Sequence, residues 1–320
     1  MSDKKDPRKT FGEALAEAGE KNSRVMAISA DSSSGSQMTM FKNKFPERHL
    51  EFGIMEPGIT GICAGLATTG KIPVFATIAP FVTGRNFDQM KVDLGYMKQN
   101  VKVVGRCAGL SYYHLGPTHQ SLEDVALMRT IPGMTILNPG DPVEIKAATL
   151  AMIEHVGPVF MKIGSDPMPV LFDESKYKFQ LGKGITMKEG SDITIIGTGT
   201  VLCRAAEAAD ILEKEGVSVR LINIHTIKPL DNELILKAAE ETGKIVTVEE
   251  HYTNGGLGGA VAELLAQNCP TEMRMIGVND QFGSNGPYDE LIGLYGLLGP
   301  QIADTCRKFL AKGKCSCCGG

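Results

Sequence analysis

The chain has 320 residues, 42% hydrophobic and 22% charged, with a mean hydropathy of -0.04; this is the profile of a globular protein of about two domains. A formal net charge of -4 gives no electrostatic basis for binding nucleic acid or an anionic membrane. No apolar run reaches the roughly 20 residues a membrane span needs, and the polar start MSDKKDPRK lacks the apolar core of a secretory signal.

In chain order, residues 24–30 (RVMAISA) read as a strand, followed by strands at 49–54, 73–79, 101–104, 134–137 and 159–163. Helical patterns fall between them at 58–69, 86–96, 122–130 and 142–155. Such alternation predicts an α/β fold with a mostly parallel sheet flanked by helices. Residues 164–190 break the rhythm with Asp166-Pro167-Met168-Pro169, a charged stretch over 173–178, and Gly182, Gly184 and Gly190. The boundary is therefore placed there, giving a first domain over 1–170, a linker over 171–190 and a second domain over 191–320. After it come a strand at 192–196, a helix at 202–215 closed by Gly216, and a strand at 217–224. A helix at 232–242 closed by Gly243 and a strand at 244–248 follow. These connections predict a second, right-handed βαβ domain. Cys63, Cys107, Cys203 and Cys269 fall in apolar segments read as buried, which suits a reducing cytoplasm better than a disulfide framework.

The most informative stretch is LEFGIMEPGITGICAGLATTG over 50–70. It places Glu56 between a strand end and a helix start, with Pro57 at the first helical turn. Open α/β sheets bind ligands at that place; a plain role for Glu56 at the helix N-terminus is the alternative. Asp31 follows the first strand in a small polar loop, Phe81 follows the third, and His119 lies in the loop GPTHQSLED. A parallel sheet brings all four to one edge. An acid, an aromatic plate and a histidine there suit an aromatic heterocycle that must be stacked and protonated. Taken singly, Phe81 as core, His119 as a loop hydrogen-bonder and Asp31 as a turn former remain open.

Other signals carry less. Gly197-Thr198-Gly199 opens a helix but lacks the third glycine of a dinucleotide fingerprint, with Leu202 in its place. Glu249-Glu250-His251 alternate across a strand and read as a structural contact rather than a metal site. The tail Lys314-Cys315-Ser316-Cys317-Cys318 has no second ligand pair, and no metal site is assigned anywhere in the chain.

The runs SADSSSGSQMTMFKNKFPERHLEFGIMEPGITGICAG, FVTGRNFDQMKVDLGY and GPTHQSLEDVALMRTIPG resemble the pyrimidine-binding domain of transketolases. GSDITIIGTGTVLCRAAEAADIL, INIHTIKPLD and IVTVEEHYTNGGLGGAVAELL resemble the transketolase C-terminal domain. The resemblance covers residues 10–310, with the blocks in family order. A complete enzyme of this family also carries a Gly-Asp-Gly…Asn motif that holds Mg²⁺ and the diphosphate of thiamine diphosphate. The chain has no such motif, so the resemblance implies a split transketolase: a C-terminal subunit completed by an N-terminal partner subunit, as an α2β2 assembly.

By this resemblance, Glu56 is the acid that hydrogen-bonds the pyrimidine ring nitrogen of thiamine diphosphate, favouring the tautomer that deprotonates the thiazolium. Phe81 is similar to the aromatic that packs on the pyrimidine, and Ile78 stands where a second aromatic is usual. Asp31 matches an acid beside the cofactor, and His119 a proton relay to substrate oxygens. His114 and Leu115 replace the family's Glu-Asp, so the acid that recognises a ketose hydroxyl is missing. The phosphate-gripping arginine is replaced around Gly164-Ser165, with Ser165 taken as a substrate-side residue. Cys107 replaces a histidine, beside an Arg106 able to hold an anion. The implied reaction is two-carbon ketol transfer from a ketose, including non-standard, sulfonated or deoxy sugars, to an aldose. The rivals are the β subunit of a 2-oxoacid dehydrogenase E1 component, a synthase condensing pyruvate with a sugar phosphate, and a non-catalytic regulatory paralogue.

Overall fold

The computed structural model describes residues 4–312, so the cysteine tail singled out above lies outside the described residues. Strands β1 (Val25–Ser29), β2 (His49–Glu51), β3 (Ile72–Ile78), β4 (Lys102–Arg106), β5 (Thr135–Leu137) and β6 (Val159–Lys162) belong to the first half. Strands β7 (Ile185–Lys188), β8 (Ile193–Gly197), β9 (Val219–Asn223), β10 (Thr226–Lys228), β11 (Lys244–Tyr252) and β12 (Glu272–Val278) belong to the second. They form a seven-stranded sheet in the order β10-β5-β6-β4-β3-β1-β2 and a five-stranded sheet in the order β12-β11-β8-β9-β7. All neighbours run parallel except β10 against β5 and β7 against β9. The central strands β1, β3, β4 and β6 are buried almost throughout, as their Val- and Ile-rich runs require of a parallel sheet covered on both faces.

Several elements differ from the pattern in the sequence. The helix at 86–96 is a short turn, Phe87–Gln89, running into a π-helical segment, Met90–Tyr96. There Gly95 lies so close to Ile131 that a Cβ would sit 2.3 Å from its methyl group. The helix expected at 122–130 is trimmed to Asp124–Arg129. Cys63 and Cys107 are buried, but Cys203 and Cys269 are only half-buried. Strand β10 comes from the second half of the chain yet completes the first sheet. The two sheets are therefore interlocked.

The halves meet through buried polar groups. Glu250 accepts from the Leu110 amide at 2.5 Å, from Tyr288 Oη at 2.7 Å and from Thr200 Oγ1; burial pushes its pKa up. Glu249 caps the helix Leu257–Asn268 by accepting from the Leu257 and Gly258 amides, both at 2.7 Å. A Cβ on Gly256 would lie 2.0 Å from that carboxylate, so only glycine fits there. Thr198 Oγ1 donates to the Ile224 and Asn138 carbonyls. The Gly197-Thr198-Gly199 turn is thus packed against the first half.

His225 precedes β10, stacks 4.3 Å from Phe179 and lies 2.9 Å from Thr226 Oγ1. Burial lowers its pKa from 6.5 to about 4. Its neutral burial therefore adds stability above pH 6.5, and that contribution is lost as pH falls towards 4. The difference in unfolding free energy between the wild type and His225→Gln should narrow on going from pH 7 to pH 4.5. A constant difference in urea titrations at the two pH values would show that His225 does not titrate in this window.

Candidate active site at the carboxyl edge of the seven-stranded sheet

The loops after β1, β2, β3, β4 and β6 all leave the carboxyl edge of the sheet, and each carries a residue singled out by the sequence. Glu56 is the first residue of the helix Glu56–Thr68, with Met55 at the cap position and no side-chain cap. Its carboxyl is buried (3% exposed) and, rather than capping its own helix, pairs with Arg85, whose Nη1 lies 3.4 Å from Oε2. The guanidinium of Arg85 in turn sits 3.9 Å from the centre of the Phe81 ring. One cation thus touches both the acid and the aromatic plate.

Phe81 meets His119 edge-on at 5.1 Å. Tyr112 stacks almost parallel on His119 at 5.7 Å and lies 5.1 Å from His114. Thr118 Oγ1, 2.9 Å from Nδ1, fixes the His119 ring. This loop is braced by the second half of the chain. Gln120 Nε2 donates to the Ser284 carbonyl at 2.8 Å, and a Cβ on Gly116 would strike Asn285 at 2.3 Å.

Asp31 is exposed, in the left-handed region at φ 51°, and its amide donates to Glu51 Oε1 at 2.5 Å. Ile78 is half-buried at the end of β3. Leu115 is 44% exposed and His114 is also exposed. Ser165 Oγ donates to the Ser111 carbonyl at 3.2 Å and contacts Asp166. Arg106 is buried at the end of β4. The structure therefore links Glu56, Phe81, His119 and His114 through two residues the sequence reading passed over, Arg85 and Tyr112. Arg85 carried no periodic signal, since it lies in the turn that follows the short helix Ala79–Val82. Tyr112 carried none, since an aromatic in a loop has no period. Asp31, Arg106 and Ser165 share the sheet edge but make no recorded contact with that chain of side chains.

The pyrimidine-binding domain of transketolases matches residues 3–163, and the transketolase C-terminal domain matches residues 182–302. The chain belongs to the transketolase family. The 6-deoxy-6-sulfo-D-fructose transketolase subunit SqwH of Clostridium sp. (strain MSTE9) is 38% identical over 295 residues, covering 92% of this chain and 91% of that protein. An apulose-4-phosphate transketolase subunit of Phocaeicola vulgatus is 37% identical over 305 residues, covering 95% of this chain and 97% of that protein. Among solved structures, one described as a split gene transketolase, inactive beta4 tetramer, superposes with a TM-score of 0.90 at 38% identity, covering 96% of this chain and 98% of that one. The chain is thus similar along its length to subunits of split transketolases.

Transketolase-family domains imply dependence on thiamine diphosphate. The residues at the sheet edge fit its pyrimidine end: Glu56 offers a buried carboxyl and Phe81 an aromatic face. Among the described residues no group of three or more His, Cys, Asp or Glu is placed to hold a metal ion.

Proposed function

We propose that this chain is the pyrimidine-side subunit of a split transketolase, transferring a two-carbon ketol unit from a ketose to an aldose when joined to a partner that holds the diphosphate and Mg²⁺. The observation that carries this reading is the contact chain Glu56–Arg85–Phe81–His119, set at one sheet edge in a chain as long as the split subunits it resembles. Bound there, thiamine diphosphate supplies a nucleophilic carbon that accepts the ketol unit. Glu56 holds a proton at the pyrimidine ring nitrogen, and Phe81 fixes the ring plane. Ile78 and Asp31 line the same edge on the cofactor side. His119, held by Thr118 and Tyr112, moves a proton to or from substrate oxygens. His114, Leu115 and Ser165 face the sugar.

The departures at Leu115 and Ser165 favour a donor other than a standard ketose phosphate. Leu115, exposed in this chain, has no acceptor for a hydroxyl, and a sugar hydroxyl enclosed against it once the partner covers the site would lose about 1–3 kcal/mol. The relatives named for sulfofructose and apulose 4-phosphate fit such a range of donors. The assembly is an α2β2 complex in the cytoplasm.

Reconstitution tests this. Mixed with a partner subunit carrying Gly-Asp-Gly…Asn, thiamine diphosphate and Mg²⁺, the chain should transfer ketol units to an aldehyde acceptor, and neither chain should do so alone. Across phosphorylated, sulfonated and deoxy ketoses, kcat/KM for xylulose 5-phosphate should fall below that of the best donor. Turnover by the lone chain would rule out the split reading. Xylulose 5-phosphate ranking first would make the substitutions at Leu115 and Ser165 neutral.

A further inference from the structure

A cleft of about 770 Å³ lies where the two halves of the chain meet, a volume that suits a small organic molecule. The helix Leu202–Lys214 supplies Arg204 and Ala206 to its wall, and the helix Tyr288–Leu294 supplies Tyr288 and Ile292. From the first half come Ser111, Tyr113 and the segment 166–169 that follows β6. The Tyr113 and Tyr288 rings stand 6.2 Å apart. With Met168, Val201 and Ile292 they give the cleft an apolar, partly aromatic wall.

The charges of this cleft do not balance. Four carboxylates, Asp166, Glu207, Asp210 and Asp289, line it against two cations, Lys4 and Arg204. Arg204 is held by Asp289 at 2.7 Å and Glu207 at 3.7 Å, and Asp210 by Lys188 at 2.5 Å. Asp166 is left without an ion pair among the described residues. Arg8, the cation whose charge reaches it, is bound to Asp6 at 2.9 Å. Ser165 Oγ lies 3.4 Å from Asp166 Oδ2, but its proton goes to the Ser111 carbonyl. Burial holds the Asp166 pKa above the ordinary carboxylate value. Ser111 itself is 2% exposed, and its Oγ has no hydrogen-bond partner among the described residues. An unpaired carboxylate and an unpaired hydroxyl thus neighbour each other beside two aromatic rings.

We propose that this cleft binds a small organic cation, a primary ammonium on an apolar or aromatic body, with the ammonium against Asp166 and the body against Tyr113 and Tyr288. An ammonium has donors only, which the Asp166 carboxylate and Ser111 Oγ match as acceptors. Aromatic faces add their own attraction for a cation. A phosphate or sulfonate would meet an unpaired carboxylate there, so the occupant is not the charged end of a sugar. The loop that follows β4 supplies Ser111 and Tyr113 to the cleft, and the intervening Tyr112 stacks on His119. An occupant therefore touches the loop that holds His119. All of these groups belong to this one chain, and the site does not depend on the ketol-transfer reading.

The test uses the full chain without a partner and phenethylamine as the probe, with 2-phenylethanol as its uncharged counterpart. Binding is read by saturation-transfer NMR and calorimetry near neutral pH. Phenethylamine should bind about tenfold more tightly than the alcohol, the gain expected of a charge-assisted pair. Asp166→Asn should remove that gain and leave the alcohol unchanged, a split that general damage to the fold would not produce. Ala206→Phe, which fills the cleft from the helix Leu202–Lys214, should abolish binding of both probes. Circular dichroism checks that each variant folds, and either variant alone locates the site. Three results each overturn the inference: no binding of phenethylamine, equal binding of amine and alcohol, or wild-type affinity for the amine in a folded variant. None of these bears on ketol transfer by the reconstituted pair, so the functional reading would stand or fall separately.

Discussion

Exchanging Glu56 for Gln should slow exchange of the thiazolium C2 proton by about 10²- to 10⁴-fold in the reconstituted complex, the usual cost of a missing acid–base group. The substitution keeps the size of the side chain and its place at the start of the helix Glu56–Thr68, and removes the ability to share a proton with the pyrimidine. Folding should be spared. The ion pair with Arg85 is lost, but Arg85 is 48% exposed, so water screens that pair to about 1 kcal/mol or less. Arg85 also keeps its position over Phe81, which needs no carboxylate. The assay is deuterium exchange at C2 followed by NMR after acid quench, alongside circular dichroism of the variant. An unchanged exchange rate would return Glu56 to a structural role at its helix terminus.

The reach of the sequence is visible in that residue. Glu56 stood out because Pro57 marks a helix start and the preceding alternation marks a strand end, both local signals. The parallel sheet was legible for the same reason: buried strands and their helices announce themselves within windows of about ten residues. Strand β10 was not. Thr226–Lys228 is three residues long and pairs with β5 about ninety residues earlier in the chain, and no local pattern names a partner at that distance. The stretch 171–190, expected as a linker, contains β7, which pairs with β9 in the five-stranded sheet, and the chain returns to the first sheet after it at β10. Contacts between the halves were equally hidden. Glu249-Glu250-His251 reads in the sequence as a structural contact, but only the fold names its partners Leu257, Leu110 and Asp124. Asp166 shows the same limit from the other side. Its charge is plain in the sequence, but the cleft it lines is a property of three dimensions.

The buried contact between the halves carries the second large effect. Lys162 ends β6 and is 5% exposed; its Nζ lies 2.9 Å from Asp124 Oδ1, and Asp124 is fully buried. The same ammonium donates to the Glu250 carbonyl at 3.0 Å, so it ties the first sheet, the helix Asp124–Arg129 and β11 together. His251 does not share in the charge. Its Nδ1 donates to the Tyr252 carbonyl at 2.6 Å while Nε2 accepts from the Ala126 amide at 3.3 Å, which fixes the neutral tautomer. Burial, aided by Lys162, holds its pKa down to about 4. Near neutral pH, Lys162 is therefore, among the described residues, the one cation paired with Asp124, whose Oδ2 has no partner among them. Lys162→Met should destabilise the chain by about 3–5 kcal/mol, the cost of stranding a buried carboxylate rather than of losing a contact. Combining it with Asp124→Leu should recover much of that loss, because the charge left behind is removed as well. Urea unfolding of the two single variants and the double variant supplies the cycle. If the double variant falls by the sum of the singles, Lys162 and Asp124 act independently, and the link between the halves must be sought in Glu250 and its partners instead.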